Sequence, residues 1–91
     1  MQEIILIALE NDGKIPVIDL HKSASVVEAL EQLEKELLAF YKKDEKYIKV
    51  IYGIGSGVLG EKVLEQIKIN PLVKDFSDGD KGYLFLEIWI S

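Results

Sequence analysis

The hydrophobic positions of this chain fall into seven segments whose spacing predicts strands and helices. Runs of β-branched and aromatic residues predict strands, and apolar residues three and four apart predict helices. The predicted strands are residues 3–9, 14–20, 47–52, 72–76 and 83–90, and the predicted helices cover about 26–43 and 58–70. The order β-β-α-β-α-β-β predicts an α/β domain, a compact sandwich built on a mixed sheet.

The first two segments predict an antiparallel hairpin. The turn-forming sequence Asn11-Asp12-Gly13 separates two strand-like runs, so residues 1–14 are expected to supply the first hairpin strand. Pro16 lacks an amide donor and is expected at the start or on the outer side of the second strand. The last segment, Tyr83 to Ile90, is apolar throughout, which predicts burial on both faces, Trp89 included.

The segment Ile48 to Leu59 combines a strand, a glycine loop and a helix start. Gly53, Gly55 and Gly57 alternate directly after the strand, and Ser56 or Gly57 is placed to cap the helix that follows. The unpaired amides at a helix N-terminus favour an anion, most often phosphate. The spacing matches neither established phosphate-loop pattern, so a simple tight turn is an equal interpretation.

A second motif is expected beside this loop. Ser25 and Glu28 form a capping box ahead of the first helix. That helix connects strand 14–20 to strand 47–52, and a crossover of this kind makes the two strands parallel. Asp19 and His21 should therefore lie near the glycine loop, because open α/β sheets collect ligand sites at the carboxyl ends of their strands.

His21 and Asp19 are the candidate catalytic residues. Histidine is the side chain whose ordinary pKa lies nearest neutrality, so His21 can serve as a base toward a ribose hydroxyl or as a donor to phosphate. The alternative is that it caps the helix or ties the loop. Asp19 either orients the imidazole or accepts hydrogen bonds from loop amides.

The remaining candidates would bind phosphate or a base. Tyr52 can donate a hydrogen bond or stack a nucleobase, and it can equally belong to the core. Lys22 and Lys62 flank the two loops as counter-charges, with Lys49 and Lys81 as further candidates, although surface lysines are commonly only solvated. The proposed nucleic-acid or phosphate-binding set is Lys22, Tyr52, Gly53, Gly55, Ser56, Gly57 and Lys62.

Composition limits the function classes. The 91 residues predict a single domain, and the net charge is −5 with eleven lysines and no arginine, so any polyanion must be held by a local patch and backbone amides. The absence of cysteine, of a basic leader and of a long apolar run predicts a cytoplasmic protein without a membrane span. One histidine and scattered carboxylates form no metal-ligand cluster, which leaves the cofactor, a divalent metal included, unidentified.

Three sequence motifs in this order resemble the small MutS-related (Smr) domain. They are Ile18-Asp19-Leu20-His21 with its capped helix, Val50 to Leu59, and Asn70-Pro71 to Phe76. The likeness covers about residues 15–90. The family's leucine-aspartate-leucine-histidine-glycine motif falls on Ile18 to Lys22 and its histidine-glycine-x-glycine motif on Tyr52 to Gly55. Lys22 thus replaces a glycine and Tyr52 replaces a histidine, while a family glycine pattern before the last strand is matched loosely by Gly79 and Gly82.

The resemblance implies a fold similar to the C-terminal domain of a bacterial translation initiation factor. It also implies binding to DNA or RNA, and an endonuclease that nicks DNA or cleaves RNA, with Asp19 and His21 at the site. Loss of the second histidine weakens the case for cleavage more than the case for phosphate binding. The alternatives are a degenerate module that binds a protein partner or the ribosome, and a small nucleotide-binding protein.

Overall fold

The computed structural model describes residues 1–55, 57–77 and 81–90. Within these ranges the chain forms three α-helices and four β-strands, and the strands form one mixed sheet. The elements are α1 (Glu3–Glu10), β1 (Val17–Asp19), α2 (Val26–Lys42), β2 (Tyr47–Ile51), α3 (Val58–Ile69), β3 (Val73–Phe76) and β4 (Tyr83–Ile88). The sheet order is β1-β2-β4-β3, with β1 parallel to β2 and the other two pairs antiparallel. The α/β class and the mixed sheet were both predicted.

The core lies between one face of the sheet and the pair α2 and α3. Alternate strand residues such as Ile18, Val50 and Leu86 are fully buried and meet Leu33 of α2 and Val63 of α3. Their spacing is the period of two in the strands and about 3.6 in the helices that the sequence displays. The Ser25 hydroxyl accepts the Glu28 amide at 3.1 Å and starts α2 as predicted.

The predicted N-terminal hairpin strand is wrong, because residues 3–10 form α1. Apolar residues at helical spacing (Ile5, Leu6 and Leu9) turn inward, while Ile4 and Ile7 are exposed. Residues 11–13, which were predicted to form a hairpin turn, instead follow the end of the helix. The Asn11 amide side chain donates to the Ile7 carbonyl at 2.8 Å, and Asp12 accepts the Lys14 amide at 2.8 Å. The observed order is therefore α-β-α-β-α-β-β.

Helix α1 is anchored to the sheet face opposite α2 and α3. The Tyr83 hydroxyl donates to the Glu10 carboxylate at 2.8 Å, and the Met1 amino group lies 3.1 Å from the Asp75 carboxylate. That amino group, assisted by the Phe76 amide, holds the pKa of Asp75 below its usual range. A helix thus covers β4 where a fifth strand was expected to extend the sheet.

The remaining boundaries agree with the predictions to within a few residues. Pro16 precedes β1, an edge strand, as its missing donor requires. Residues Leu84 to Ile88 are buried as expected, whereas Trp89 is 51% exposed and lies beyond the strand, so its predicted burial is wrong. Of the helices described, none has the length and apolarity needed to cross a membrane.

Candidate functional site

The two sequence motifs meet at one edge of the sheet. The Leu20 amide donates to the Ile51 carbonyl at 2.7 Å, which extends the parallel pairing of β1 and β2 to their carboxyl ends. Beyond that bond, the His21 ring lies against Gly53, because a Cβ added at Gly53 would stand 2.5 Å from His21 Cδ2. The imidazole, which is on an exposed residue, therefore borders the glycine loop directly.

Asp19 supports the turn that carries His21. Its Oδ1 accepts the backbone amide of His21 at 3.0 Å, so the loop-amide interpretation describes the observed contact. The Gln32 side chain of α2 donates to the Asp19 carbonyl at 3.4 Å and accepts the Ser23 hydroxyl at 3.3 Å. Sequence reasoning missed Gln32, since nothing in the periodicity of α2 distinguishes it from the other polar positions.

Two glycines give the second loop its shape. Gly53 and Gly57 have φ values of 83° and 86°, in the left-handed region that side chains seldom adopt, whereas Gly55 does not require it. Gly57 is the N-cap of α3, and its carbonyl accepts the Glu61 amide at 3.0 Å. The start of α3 thus opens onto the loop as predicted. Ser56, the other proposed cap, lies outside the described residues.

Gly82 holds the glycine loop through its backbone carbonyl. Its carbonyl accepts the amides of Tyr52 at 2.9 Å and Gly53 at 2.8 Å, so the Gly53 amide, predicted to hold phosphate, donates to the sheet. Gly82 has a φ of 84°, and a Cβ there would lie 3.1 Å from the Gly53 carbonyl carbon. The predicted glycine pattern ahead of β4 has its structural reason at this residue, while Gly79 lies outside the described residues.

The other residues predicted to bind phosphate or a base lie in different parts of the structure. Tyr52 is only 8% exposed and belongs to the core, its ring packed against Gly60 of α3. Lys22 is exposed in the turn after β1, and its φ is not positive, so the lysine replaces the family's glycine without backbone strain. Lys62 pairs with Glu65 at 3.4 Å on α3. Lys49 stacks 4.4 Å from the Tyr83 ring centroid, on the face that carries α1.

A groove of about 570 Å³ lies between the glycine loop and the first two turns of α3. Its apolar walls come from Tyr52, Ile54, Leu59 and Leu64, and Glu61 is the charged residue among the described residues lining it. The absence of a side chain at Gly60 leaves room for the Tyr52 ring, since a Cβ there would lie 2.9 Å from that ring. Sequence reasoning did not anticipate this groove, although the spacing of Gly57, Gly60 and Leu64 on one helix face was visible.

Across residues 1–55, 57–77 and 81–90, no group of three or more histidine, aspartate or glutamate side chains is arranged to hold a metal ion.

Comparison with known proteins identifies the class. The Smr domain model matches residues 18–83, most of the chain and both motif loops, so the chain belongs to the Smr domain family. The crystal structure of the Smr domain of Thermus thermophilus MutS2 superposes with a TM-score of 0.76 at 21% identity, covering 82% of this chain and 99% of that one. This likeness establishes the shared fold. A comparison with curated proteins yields no match.

Proposed function

We propose that this Smr domain binds a nucleic acid at the edge formed by residues 19–22 and the loop 53–57. The observation that carries the proposal is the contact of the His21 ring with Gly53, which brings the two family motifs into one surface. The exposed Lys22 side chain supplies positive charge there, and the N-terminus of α3 favours a phosphate. In an acidic chain, this local arrangement is what attracts a polyanion.

Fluorescence anisotropy with labelled single-stranded RNA, hairpin RNA and duplex DNA tests this binding. We expect the affinity to fall steeply between about 50 and 200 mM salt, because phosphate contacts release counterions. Lys22→Ala should weaken binding and flatten the salt dependence. Lys68→Ala, a charge-matched control at the far end of α3, should leave both unchanged. Salt-independent binding, or equal effects of the two variants, would contradict the proposal.

The same proposal extends to RNA cleavage by His21. Its imidazole nitrogen accepts the proton of a ribose 2′-hydroxyl, whose oxygen then attacks the adjacent phosphorus. The bond from phosphorus to the 5′-oxygen breaks, and that oxygen takes a proton from water. The products are a 2′,3′-cyclic phosphate and a 5′-hydroxyl end. This route requires one proton-accepting side chain, which agrees with the replacement of the second family histidine by the buried Tyr52.

Cleavage is tested separately from binding with end-labelled RNA on denaturing gels. His21→Ala is expected to abolish the cyclic-phosphate product, while Asp19→Asn reduces it through the weakened turn that holds His21. RNA carrying 2′-O-methyl groups should bind normally and stay intact. Cleavage by His21→Ala at the parent rate would contradict the assignment.

A module that binds a protein or the ribosome without cleaving RNA is the second candidate. It is favoured by the Asp19 carboxylate, which holds the His21 amide, and by the net charge of −5. Salt-dependent binding to naked RNA would favour the nucleic-acid-binding proposal, and no binding at low salt would favour the module that binds a protein or the ribosome. A cytoplasmic location and the likeness to a translation initiation factor domain stay predictions.

A further inference from the structure

The groove shares the glycine loop with the proposed phosphate-binding edge, but its other walls are mainly apolar. Ile54 is 86% exposed above it, and Leu59 and Leu64 line it from α3. Glu61 is the charged side chain among its described lining residues, so a phosphate placed there would meet an apolar wall and a carboxylate. The part of a ligand that suits this lining is neutral, has apolar faces and donates N–H groups to a carboxylate.

A nucleobase has these properties. The groove's volume of about 570 Å³ falls within the range of roughly 300–1,000 Å³ usual for small-molecule sites. The base must be unpaired, since only a base out of a duplex offers its faces to apolar side chains and its pairing edge to a carboxylate. The His21 ring contacts Gly53, which also lines the groove, so the backbone of the same strand can follow the phosphate-binding edge while one base enters the groove.

A carboxylate can distinguish the bases by their pairing edges. A carboxylate accepts two parallel hydrogen bonds from the N1–H and the 2-amino group of guanine, as it does from other paired donors. Adenine and cytosine offer an amino group next to an acceptor nitrogen, and uracil offers one N–H between two carbonyls, so each places an acceptor near the carboxylate. Guanine alone presents adjacent donors on this edge.

We infer that the groove between the glycine loop and α3 binds one unpaired guanine of a single-stranded nucleic acid, with the Glu61 carboxylate accepting from its pairing edge. This inference rests on the proposed binding of nucleic acid at the adjacent edge. It adds base selection, which the phosphate contacts cannot supply because they are the same for every sequence.

Anisotropy titrations with four labelled RNA octamers test the inference. One is all uridine, and the others carry a single central guanosine, inosine or adenosine. We expect guanosine to tighten binding about tenfold over uridine, within the usual discrimination of a paired contact. Inosine lacks the 2-amino group and should fall between the two. Adenosine should bind like uridine.

Three variants separate the roles of the residues. Glu61→Gln should erase the guanosine preference, so that the guanosine and uridine octamers bind with similar affinity. Glu65→Gln, the matched control one turn along α3, removes the same charge and should keep the preference. Ile54→Ala, at an exposed position that leaves the core intact, should weaken guanosine binding more than uridine binding.

Three results would overturn the inference, and they differ in whether they also reject the proposed function. Salt-dependent binding with equal affinity for all four octamers, or a preference that survives Glu61→Gln, rejects the guanine site and leaves the proposed function standing. No salt-dependent binding to any octamer rejects both.

Discussion

At the scale of single residues, Gly53 determines where His21 lies. Its φ of 83° and its contact with the imidazole leave no room for a side chain. Gly53→Ala is expected to lower the free energy of unfolding by about 1–3 kcal/mol, the usual cost of a side chain in a strained left-handed position. The His21 ring should also move, seen as a change in its proton NMR shifts.

The control for this prediction is in the same loop. A Cβ at Gly55 would meet nothing within 4 Å, and Gly55 has no positive φ, so Gly55→Ala should leave stability and the His21 resonances nearly unchanged. Urea denaturation in which the two variants lose equal stability would show that the Gly53 contact does not shape the site.

Gly82 supports the loop in the same way from the start of β4. Its carbonyl receives two amides from the loop, and its φ of 84° orients that carbonyl. Gly82→Ala is expected to cost about 2 kcal/mol and to weaken RNA binding, because the Gly53 backbone is displaced. Gly13→Ala, exposed and in open space, is the control and should have little effect. Equal unfolding midpoints for the two variants would contradict this prediction.

At the scale of secondary-structure elements, α1 is the part that sequence patterns misidentified. Its run of isoleucines and leucines satisfies both the strand propensity and the helical period, so local preference does not decide between them. The tertiary contacts decide, since Glu10 bonds to Tyr83 and the Asn11 side chain completes the helix end. Glu10 and Tyr83 lie far apart in the sequence, and Asn11 is equally suited to a hairpin turn. The sequence pattern alone therefore failed to predict the helix.

A pair of truncations tests the orientation of α1. Leu9→Ala removes a side chain that is 6% exposed and should lower the free energy of unfolding by about 2 kcal/mol or more. Ile4→Ala, at a position 74% exposed, should change it by less than about 0.5 kcal/mol. A larger loss for Ile4→Ala than for Leu9→Ala would contradict this orientation of α1.

The motif-bearing elements were predicted well because their signals are local. Ser25 and Glu28 mark the start of α2, and Pro71 follows the end of α3 by two residues. The parallel pairing of β1 with β2 followed from the helix between them, and it brought His21 to the glycine loop. The groove beside α3 and the hydrogen bonds of Gln32 could not be predicted from the sequence, because they depend on side-chain directions that hydrophobic periodicity does not define.

At the scale of the whole molecule, the two ends of the sheet's strands offer different surfaces. The edge with His21 and Gly53 holds both family motifs. At the opposite end, Trp89 is half exposed, with the Lys74 ammonium 5.2 Å from its ring centroid. Lys46 and Lys74 there share the Glu87 carboxylate at 3.6 and 3.7 Å, which reduces the positive charge that end offers to a polyanion.

Backbone-amide and indole NMR shifts, recorded while a guanosine-containing RNA octamer is added at low salt, locate the surface that binds nucleic acid. We expect the largest changes at His21, Lys22 and the loop 53–57, with the Trp89 indole resonance unchanged. Shifts concentrated at Trp89, Lys46 and Lys74, with residues 19–22 and 53–57 unmoved, would contradict the account and place nucleic-acid binding at the opposite end of the sheet.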